Sequence, residues 1–391
     1  MRFPEFSGEW DITTIGEISN IKNGPFGSVL HAEDYVSDGI PIVTTEHFKS
    51  GSLPIVKDGI PQVSEQDYIR LKGYKLQTND IVFSRVGSVD INAYVSDTQN
   101  GWLFSGRVLR VRPISSVNSL CLHFVLSTEK VKQGIRSRAV GQTMPSINTP
   151  ILSTTNIFLP KSLEEQRKIS IFLALIDARL ETQKKIIEDL KKLKDAITHS
   201  HYRNELSHSP MVYIGQYITQ VSKRNKDAKI DRVLSVSKKY GFINQDEQFE
   251  DREVASADTS NYKVVHKGDF AYNPARINVG SVARLQEFEN GIVSPMYVCF
   301  TAKKGLLPAY FELYLSTSIF KHEMNKRLEG SVRLCLTYES LCNIKIALPE
   351  FNVQKAFVSK VSAILTKIRA EERLLYLYHN CKQYLLSQMF I

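Results

Sequence analysis

Two stretches of the chain repeat apolar side chains in steps of four and three residues, the spacing of a heptad seam along one face of an α-helix. The first stretch begins at residue 169 and the second at residue 357. An apolar stripe two positions wide in every seven is typical of a coiled coil, so we expect the two helices to pack on each other. The apolar seam positions are Ile169, Leu173, Ile176, Leu180, Ile187, Leu190, Ile197, Phe357, Val361, Ile364, Ile368, Leu375, Tyr378 and Leu385.

Outside these helices, short apolar runs alternate with turns. The run at residues 81–83 and the alternating segment at residues 102–111 are typical of β-strands, and glycines separate such segments at turn-like intervals. One helix is expected near the end of each globular region, at residues 120–138 and 309–328. The pattern therefore predicts an α+β fold with two globular α/β domains, each followed by a long helix.

The two halves of the chain share landmarks at a constant offset. Asp80, the Ser127-Thr128 pair, Gly141 and the Leu159-Pro160 pair recur in the same order as Asp269, Ser316-Thr317, Gly330 and Leu348-Pro349. The offset of these landmarks is 189, and the two helix seams match at an offset of 188. Such an internal repeat predicts two similar units with pseudo-twofold symmetry, which would make the helices an antiparallel coiled coil. The expected organisation is a first domain at 1–158, a helix at 159–203, a second domain at 204–347 and a second helix at 348–391.

The composition fits a basic protein without a membrane segment. The chain has 50 Lys and Arg against 41 Asp and Glu, a formal charge of +9, and 42% of its residues are hydrophobic. A pseudo-symmetric basic protein suits a ligand with two related halves, so duplex DNA is the first candidate. No apolar run is long enough for a signal or a membrane span, so a cytoplasmic protein is expected.

Motifs for catalysis are missing from the sequence. It has no phosphate-binding glycine loop, no H-E-x-x-H and no nucleophile elbow, and its five cysteines stand at no metal-ligand spacing. A cluster of His199, His201 and His208 follows a lysine-rich segment, where a solvated helix end is a better explanation than a metal site. We therefore expect no metal, no bound cofactor and no catalytic residue in this chain.

Basic and polar side chains of the globular domains are the candidate DNA contacts. Arginine can pair with guanine edges or phosphates, and asparagine can read adenine. In the first domain the candidates are Lys22, Asn23, Ser84, Arg85, Ser88, Arg107, Lys132, Arg136 and Arg138. In the second domain they are Lys223, Arg224, Lys238, Lys239, Arg276, Asn278, Ser281, Lys326, Arg327 and Arg333.

Across essentially its whole length, the chain resembles the specificity (S, or HsdS) subunits of type I restriction-modification systems. The resemblance rests on R-F-P-E-F-S-G-E-W at 2–10, N-G-P-F-G-S-V-L at 23–30, N-D-I-V-F-S-R-V-G-S at 79–88 and K-G-D-F-A-Y-N-P at 267–274. The junctions that precede the helices, I-F-L-P-K-S-L-E-E-Q-R-K-I and I-A-L-P-E-F-N-V-Q-K, also contribute. Within the E-E-Q and N-V-Q segments of these junctions, Gln166 and Gln354 are the residues that match.

This resemblance implies a non-catalytic subunit with two target recognition domains, each reading one half of a bipartite site in double-stranded DNA. The helix pair would set the spacing between the half-sites and dock two methyltransferase (M) subunits, and two restriction (R) subunits could join the complex. S-adenosylmethionine, ATP and magnesium would be bound by those partners. Because half-site reading varies between units in this family, recognition loops are expected at 84–92 and 273–281, where the repeat loses its register.

Two alternatives remain open at this point. A stand-alone two-domain DNA-binding regulator would also be basic and repeated, although such proteins normally carry a helix-turn-helix, and none stands out in this sequence. A decoy scaffold would bind methyltransferase subunits without binding DNA. Binding assays with and without a methyltransferase subunit separate these possibilities.

Overall fold

The chain folds into two compact units that share the two long helices. The structure is a computed structural model and describes residues 2–25, 30–238, 240–245, 258–330 and 333–390. Unit 1 consists of residues 1–184 and 374–391, and unit 2 consists of residues 185–373. Each helix therefore contributes one half to each unit.

Unit 1 combines short strands with a few helices. Its helices are α1 (Ile15–Ile18), α2 (Glu65–Arg70), α3 (Ser119–Leu126), α4 (Glu129–Arg136), α5 (Thr149–Ser153) and the first half of α6 (Leu163–His208). Its strands are β1 (Asp11–Thr14), β2 (Ser19–Asn23), β3 (Tyr35–Val36), β4 (Ile40–Val43), β5 (Gln62–Val63), β6 (Ile81–Ser84), β7 (Asn92–Tyr94), β8 (Leu103–Phe104), β9 (Val108–Pro113) and β10 (Asn156–Leu159).

Unit 2 contains the same kinds of element. Its strands are β11 (Met211–Tyr213), β12 (Ile218–Val221), β13 (Val233–Ser237), β14 (Gly241–Asn244), β15 (Lys263–His266), β16 (Phe270–Tyr272), β17 (Val282–Arg284), β18 (Asn290–Val293), β19 (Val298–Ala302) and β20 (Lys345–Ala347). Its helices are the second half of α6, then α7 (Pro308–Leu315), α8 (Ser318–Asn325), α9 (Tyr338–Cys342) and the first half of α10 (Phe351–Met389).

One sheet of each unit corresponds strand by strand to its counterpart, whereas the second sheets place their parallel pair differently, at an edge in unit 1 and between the two central strands in unit 2. An antiparallel sheet has the order β2-β9-β6-β7 in unit 1 and β12-β19-β16-β17 in unit 2. A second sheet, β3-β5-β4-β8 or β14-β13-β18-β15, contains one parallel pair, β4 with β8 or β13 with β18. A two-stranded ribbon, β1-β10 or β11-β20, completes each unit. The α+β architecture with two globular domains, predicted from the pattern, is confirmed.

The single helix expected near the end of each domain is two helices. A Ser-Thr pair separates α3 from α4, and the repeated pair separates α7 from α8. The hydroxyls of Thr128 and Thr317 donate to the carbonyl oxygens three residues earlier, at Val125 and Tyr314, both at 2.7 Å. Serine and threonine compete with the helical backbone in this way, so the repeated pair ends one helix and begins the next.

The repeated glycines occupy positions where a side chain does not fit. Gly141 has a φ of 102° and Gly330 a φ of 124°, in the left-handed region that favours glycine. A Cβ atom would lie 2.8 Å from the carbonyl oxygen of Met144 at the first position, and 2.3 Å from that of Arg333 at the second. Each glycine therefore allows a tight hairpin, closed by the bridges Val140–Ser146 and Glu329–Cys335.

The heptad seams of α6 and α10 face inward, as predicted. In unit 1, Ile169 and Leu173 share one apolar core with Leu385. In unit 2, Phe357 and Val361 of α10 pack in one core against the last turns of α6. The start of each helix thus packs against the end of the other within a unit, which is an antiparallel arrangement.

Each long helix is anchored to its domain by a buried glutamine. The Gln166 amide donates to the carbonyl of Pro160 at 2.7 Å and accepts from the backbone N–H of Asn118 at 2.7 Å. In the repeat, the Gln354 amide donates to the carbonyl of Pro349 at 2.9 Å and accepts from the backbone N–H of Leu307 at 2.8 Å. The glutamines that match between the junctions therefore join the start of α6 to that of α3, and the start of α10 to that of α7.

Candidate nucleic-acid interface

The predicted recognition loop of unit 1 connects β6 to β7. Its backbone rests on the hairpin around Gly141, since Ile147 N–H donates to Arg85 O at 2.9 Å and Gly87 N–H donates to Pro145 O at 2.8 Å. Ser88 is exposed at the loop, whereas Ser84 is buried. The hairpin thus supports the loop from below, and the middle of the loop lies at the surface.

The predicted loop of unit 2 connects β16 to β17 and rests on the equivalent hairpin. Leu336 N–H donates to Pro274 O at 3.1 Å, and these two residues are the counterparts of Ile147 and Arg85 in the repeat. The loop folds through a short 3-10 turn, Ile277–Val279, and returns at Gly280 with a φ of 95°. The two loops share a support and differ in length and side chains.

Basic and amide groups of the second loop converge on one concave surface. A cavity of about 440 Å³ is lined by Lys238, Arg276, Asn278 and Ser281 among others. Lys238 and Arg276 are exposed, while Ser281 is buried and its hydroxyl donates to Val236 O at 3.1 Å. Lys238, Arg276 and Asn278 are therefore together and accessible, whereas Ser281 supports the loop.

The first loop presents a smaller surface. A cavity of about 170 Å³ lies beside it, with Ser84, Gly87 and Ser88 in its wall. Arg85 is half-buried, and its guanidinium donates to the carbonyl of Gly106 at 3.1 Å. Arg85 therefore holds the loop against the segment that connects β8 to β9. Arg107 lies in that segment, where its carbonyl accepts from Arg85 N–H at 3.0 Å and its side chain is exposed.

Six other candidate cations already have partners within the protein. Arg136 pairs with Asp90 and Glu129, and both Lys326 and Arg327 lie 2.8 Å from Glu323. The remaining three contact backbone or hydroxyl groups: Lys22 reaches Gly73 O, Arg138 reaches Gly134 O, Thr154 and Thr155, and Arg224 reaches Asn261. Their roles within the fold compete with the predicted DNA contacts.

The other candidates are dispersed. Lys223 and Arg333 are exposed, Asn23 and Lys132 are half-buried, and Lys239 lies outside the described residues. Among the described residues, no group of three His, Cys, Asp or Glu side chains could hold a metal ion. No helix in that part of the chain is both long and apolar enough to cross a membrane.

In each unit, a side chain of the helix packed behind the loop makes a hydrogen bond to the strand that follows the loop. The helix is α3 in unit 1 and α7 in unit 2, and the strands are β7 and β17. In unit 1, the Asn92 amide donates to Ser127 Oγ at 3.2 Å, so its oxygen accepts from His123 Nδ1 at 2.6 Å. In unit 2 the equivalent residue of α7 is Glu312, which accepts from Arg284 at 2.8 Å. No motif marked these residues, although His123 and Glu312 occupy matching positions of the repeat and could have been found by comparing the halves.

His123 is neutral and fixed in one tautomer. Burial lowers the pKa of His123 to about 3, with smaller contributions from the nearby cations of Lys382 and Lys132. The neutral ring keeps its proton on Nδ1, where it donates to Asn92. The strand behind the first recognition loop is thus held by a hydrogen bond from a histidine that burial keeps uncharged.

Unit 1 is expected to lose stability as the pH falls from about 6.5 towards 3. The unfolded chain takes up a proton on His123 near its ordinary pKa of about 6.5, whereas the folded unit resists protonation down to about 3. Folding free energy is therefore lost across this window as the pH falls. His123→Gln retains a donor without a titrating ring, so its stability deficit relative to the unmodified protein should shrink at lower pH. Hydrogen exchange of α3 at pH 7 and pH 4.5 measures this, and a deficit independent of pH would contradict it.

Known proteins resemble the chain in sequence over nearly its whole length. Residues 7–192 match the family model of the type I restriction modification DNA specificity domain. The specificity subunit of the type I restriction enzyme MjaVIII from Methanocaldococcus jannaschii is 23% identical, over 95% of this chain and 90% of that protein. The putative MjaX specificity subunit of the same organism is 25% identical, over 94% of this chain and 90% of that protein.

Solved structures share the fold. The S subunit of a type I restriction-modification system from M. genitalium aligns with a TM-score of 0.59 at 15% identity, covering 100% of this chain and 99% of that one. A chain from a structure on complex assembly and conformational transition of the type I R-M system aligns with a TM-score of 0.58 at 13% identity, covering 98% of both chains. The shared fold therefore includes both units.

Proposed function

We propose that this chain, which belongs to the specificity subunits of type I restriction-modification systems, reads a bipartite site in double-stranded DNA, one half-site with each unit. Specificity subunits recognise DNA and are not themselves catalytic. The observation that carries the proposal is the pair of loops at 84–92 and 273–281. They rest on the same backbone hydrogen bond at matching positions of the repeat, yet they present different side chains. A common support with different contact groups is what the reading of two different half-sites requires.

The side chains at the second loop support direct reading of bases. Arg276 is exposed, and Asn278 lines the same cavity. These are residue types that pair with guanine and adenine edges in the major groove. The exposed Lys238 and Arg107 are suited to phosphate contacts, which position a protein on DNA without selecting a sequence. We assign base reading to Arg276 and Asn278, and contact with the DNA phosphates to Lys238 and Arg107.

The partners follow from the same proposal. The helix pair α6–α10 sets the spacing of the half-sites and docks two methyltransferase subunits, and two restriction subunits complete the complex. S-adenosylmethionine, ATP and magnesium serve those partners, in the cytoplasm. The heptad seams support the docking role because they bury one face of each helix and leave charged faces exposed.

Gel-shift and methylation assays with the methyltransferase subunit of the same system test this function. We expect sequence-specific DNA binding that requires this subunit, and adenine methylation at a two-part site. Specific binding by the chain alone without methylation would favour the stand-alone regulator. A complex with the methyltransferase subunit that binds no DNA would favour the decoy scaffold.

A further inference from the structure

The first recognition loop offers few side chains for reading bases. Residues 84–92 all lie in the described part of the chain, and of these only Gly87 and Ser88 are exposed. Arg85 and Asp90 are half-buried and bonded within the protein. Glycine has no side chain, and a serine hydroxyl discriminates poorly between bases because it can both donate and accept. A half-site that is read by unit 1 therefore needs contacts from a second element.

The hairpin closed by Val140 and Ser146 forms one ribbon with this loop. These two residues exchange backbone hydrogen bonds of 2.9 and 2.8 Å, and Ser146 also forms an antiparallel bridge with Val86 of the loop. Gly87 N–H donates at 2.8 Å to the carbonyl of the residue that follows the hairpin tip. The tip, at residues 141–144, is thus held at a fixed place beside the exposed part of the loop.

The spacing of this ribbon allows the loop and the tip to contact DNA together. Paired strands lie about 4.8 Å apart, and the bridges place two such spacings between Val86 and Val140. Their sum, roughly 10 Å, is smaller than the width of the DNA major groove, which is about 12 Å. A groove that receives the first recognition loop can therefore also receive the tip of the hairpin.

The tip presents an amide and an apolar side chain to solvent. Gln142, Thr143 and Met144 are all exposed, Met144 to 60%. Among the described residues, no group makes a hydrogen bond with the Gln142 amide. The segment 137–148 contains no Asp or Glu, so it has no carboxylate that would repel phosphates. The side chains of the tip are thus available to a nucleic acid.

These residue types suit the major-groove edge of an A·T base pair. A side-chain amide can donate to adenine N7 and accept from the adenine N6 amino group, in a bidentate pair that the other bases do not match. An apolar side chain can pack on the C5-methyl group of thymine, which cytosine lacks. Gln142 and Met144 supply one group of each kind.

The equivalent hairpin of unit 2 has the same support and different side chains. It is closed by the bridge between Glu329 and Cys335 and is joined to the second recognition loop by a backbone hydrogen bond. At the offset of 189, Arg333 stands where unit 1 has Met144, and Arg333 is exposed. A shared scaffold with different tips is expected of an element that contacts a different sequence in each half-site.

We propose that the hairpin tip at 141–144 is the main base-reading element of unit 1, where Gln142 and Met144 recognise an A·T base pair. The inference rests on the proposed function, in which each unit reads one half-site, and it adds the residues and the base pair for unit 1. The Gln142 amide pairs with adenine N6 and N7. The Met144 side chain packs on the methyl group of thymine.

Single-atom changes in the DNA test both contacts, in the complex of the full chain with the methyltransferase subunit. Gln142→Ala should lower discrimination by about 10- to 100-fold at one A·T position of one half-site. At that position, 7-deazaadenine removes N7 and uracil removes the methyl group, and both keep the base pair. We expect 7-deazaadenine to weaken binding of the unmodified complex by about tenfold, and uracil by about 3- to 5-fold. Gln142→Ala should become insensitive to 7-deazaadenine alone, and Met144→Ala to uracil alone.

The matched control is Gln133→Ala, which removes an exposed glutamine of α4 outside the hairpin and should leave binding and discrimination unchanged. An equal loss of affinity for all sequences in Gln142→Ala, or a 7-deazaadenine effect that persists in this variant, would overturn the proposal and leave the proposed function intact. Weaker binding of the methyltransferase subunit by the tip variants, with unchanged discrimination, would overturn it in favour of a protein contact. If the unmodified complex recognised no DNA sequence, the proposed function would fail together with this inference.

Discussion

Replacing Arg276 with alanine is expected to lower the discrimination against wrong bases by about 10- to 100-fold at one half-site. Discrimination at the other half-site should not change. A bidentate arginine–guanine pair contributes about 1–3 kcal/mol of discrimination against the wrong base. Arg276 is exposed beside Asn278 in the cavity of the second loop and is held there by a backbone that rests on a separate hairpin. Removing its side chain should therefore change what is read without moving the loop. Mapping methylated adenines with the reconstituted complex measures the effect at each base position.

The matched control for this prediction is Arg232→Ala. Arg232 is an exposed arginine of the same unit whose guanidinium lies over the Phe288 ring at 4.6 Å, outside the recognition loop. Its loss should leave both half-sites unchanged. Arg85→Ala offers a contrast, because Arg85 bonds to Gly106 O and its loss should loosen the first loop as a whole. Equal relaxation of both half-sites by Arg276→Ala would show that this arginine contacts phosphate.

The largest stability effect is expected from Asp80→Ala, which should destabilise unit 1 by about 3 kcal/mol because it removes a buried carboxylate that makes charge-assisted hydrogen bonds to the half-buried Arg112. Asp80 is 1% exposed and makes two bonds to Arg112, at 2.6 and 2.7 Å. It also accepts from the backbone N–H of Gln77 at 2.8 Å, which closes the turn before β6. In the alanine variant, the Arg112 guanidinium and the Gln77 N–H both lose their acceptor. Hydrogen exchange resolves the two units separately, which a single unfolding transition does not.

The repeat supplies the control for this second prediction. Asp269 closes the same turn in unit 2 by accepting from His266 N–H at 2.8 Å, but Thr301 stands where unit 1 has Arg112. Asp269→Ala should therefore remove only the hydrogen bond that closes the turn, and should lower the free energy of unfolding by about 1 kcal/mol. Equal losses from the two substitutions would mean that the Asp80–Arg112 pair adds no net stability, as happens when desolvation cancels the attraction between two charges.

Local and periodic features of the fold were predictable from the sequence. The seam positions of α6 and α10 are set by which side chains avoid water, and each predicted seam residue, from Ile169 to Leu385, is buried or half-buried. The Ser-Thr pairs are a local signal that apolar periodicity does not contain. They recur because they separate two helices, but apolar periodicity alone joined residues 120–138 into one helix.

Individual contact residues were harder to predict, because the sequence does not say which cation finds a partner inside the protein. Arg136 contacts Asp90, which is 46 residues earlier in the chain, and Arg138 contacts Thr155, which lies between α5 and β10. Nothing in the local sequence of either arginine distinguishes it from Arg276. His123 was overlooked for the same reason, since its role depends on Asn92, which lies 31 residues earlier.

By itself, the sequence determined the repeat, the two seams and the positions of the loops, because these follow from hydrophobic periodicity and from an offset of 189 that falls to 188 at the helices. Only the tertiary structure decided which polar groups are available to a ligand. A long-range ion pair occupies Arg136 and a hydrogen bond to Thr155 occupies Arg138, whereas Lys238 and Arg276 remain exposed beside one cavity. A charge is available for binding when folding leaves it in water without a nearby countercharge, and that depends on neighbours that are distant along the chain.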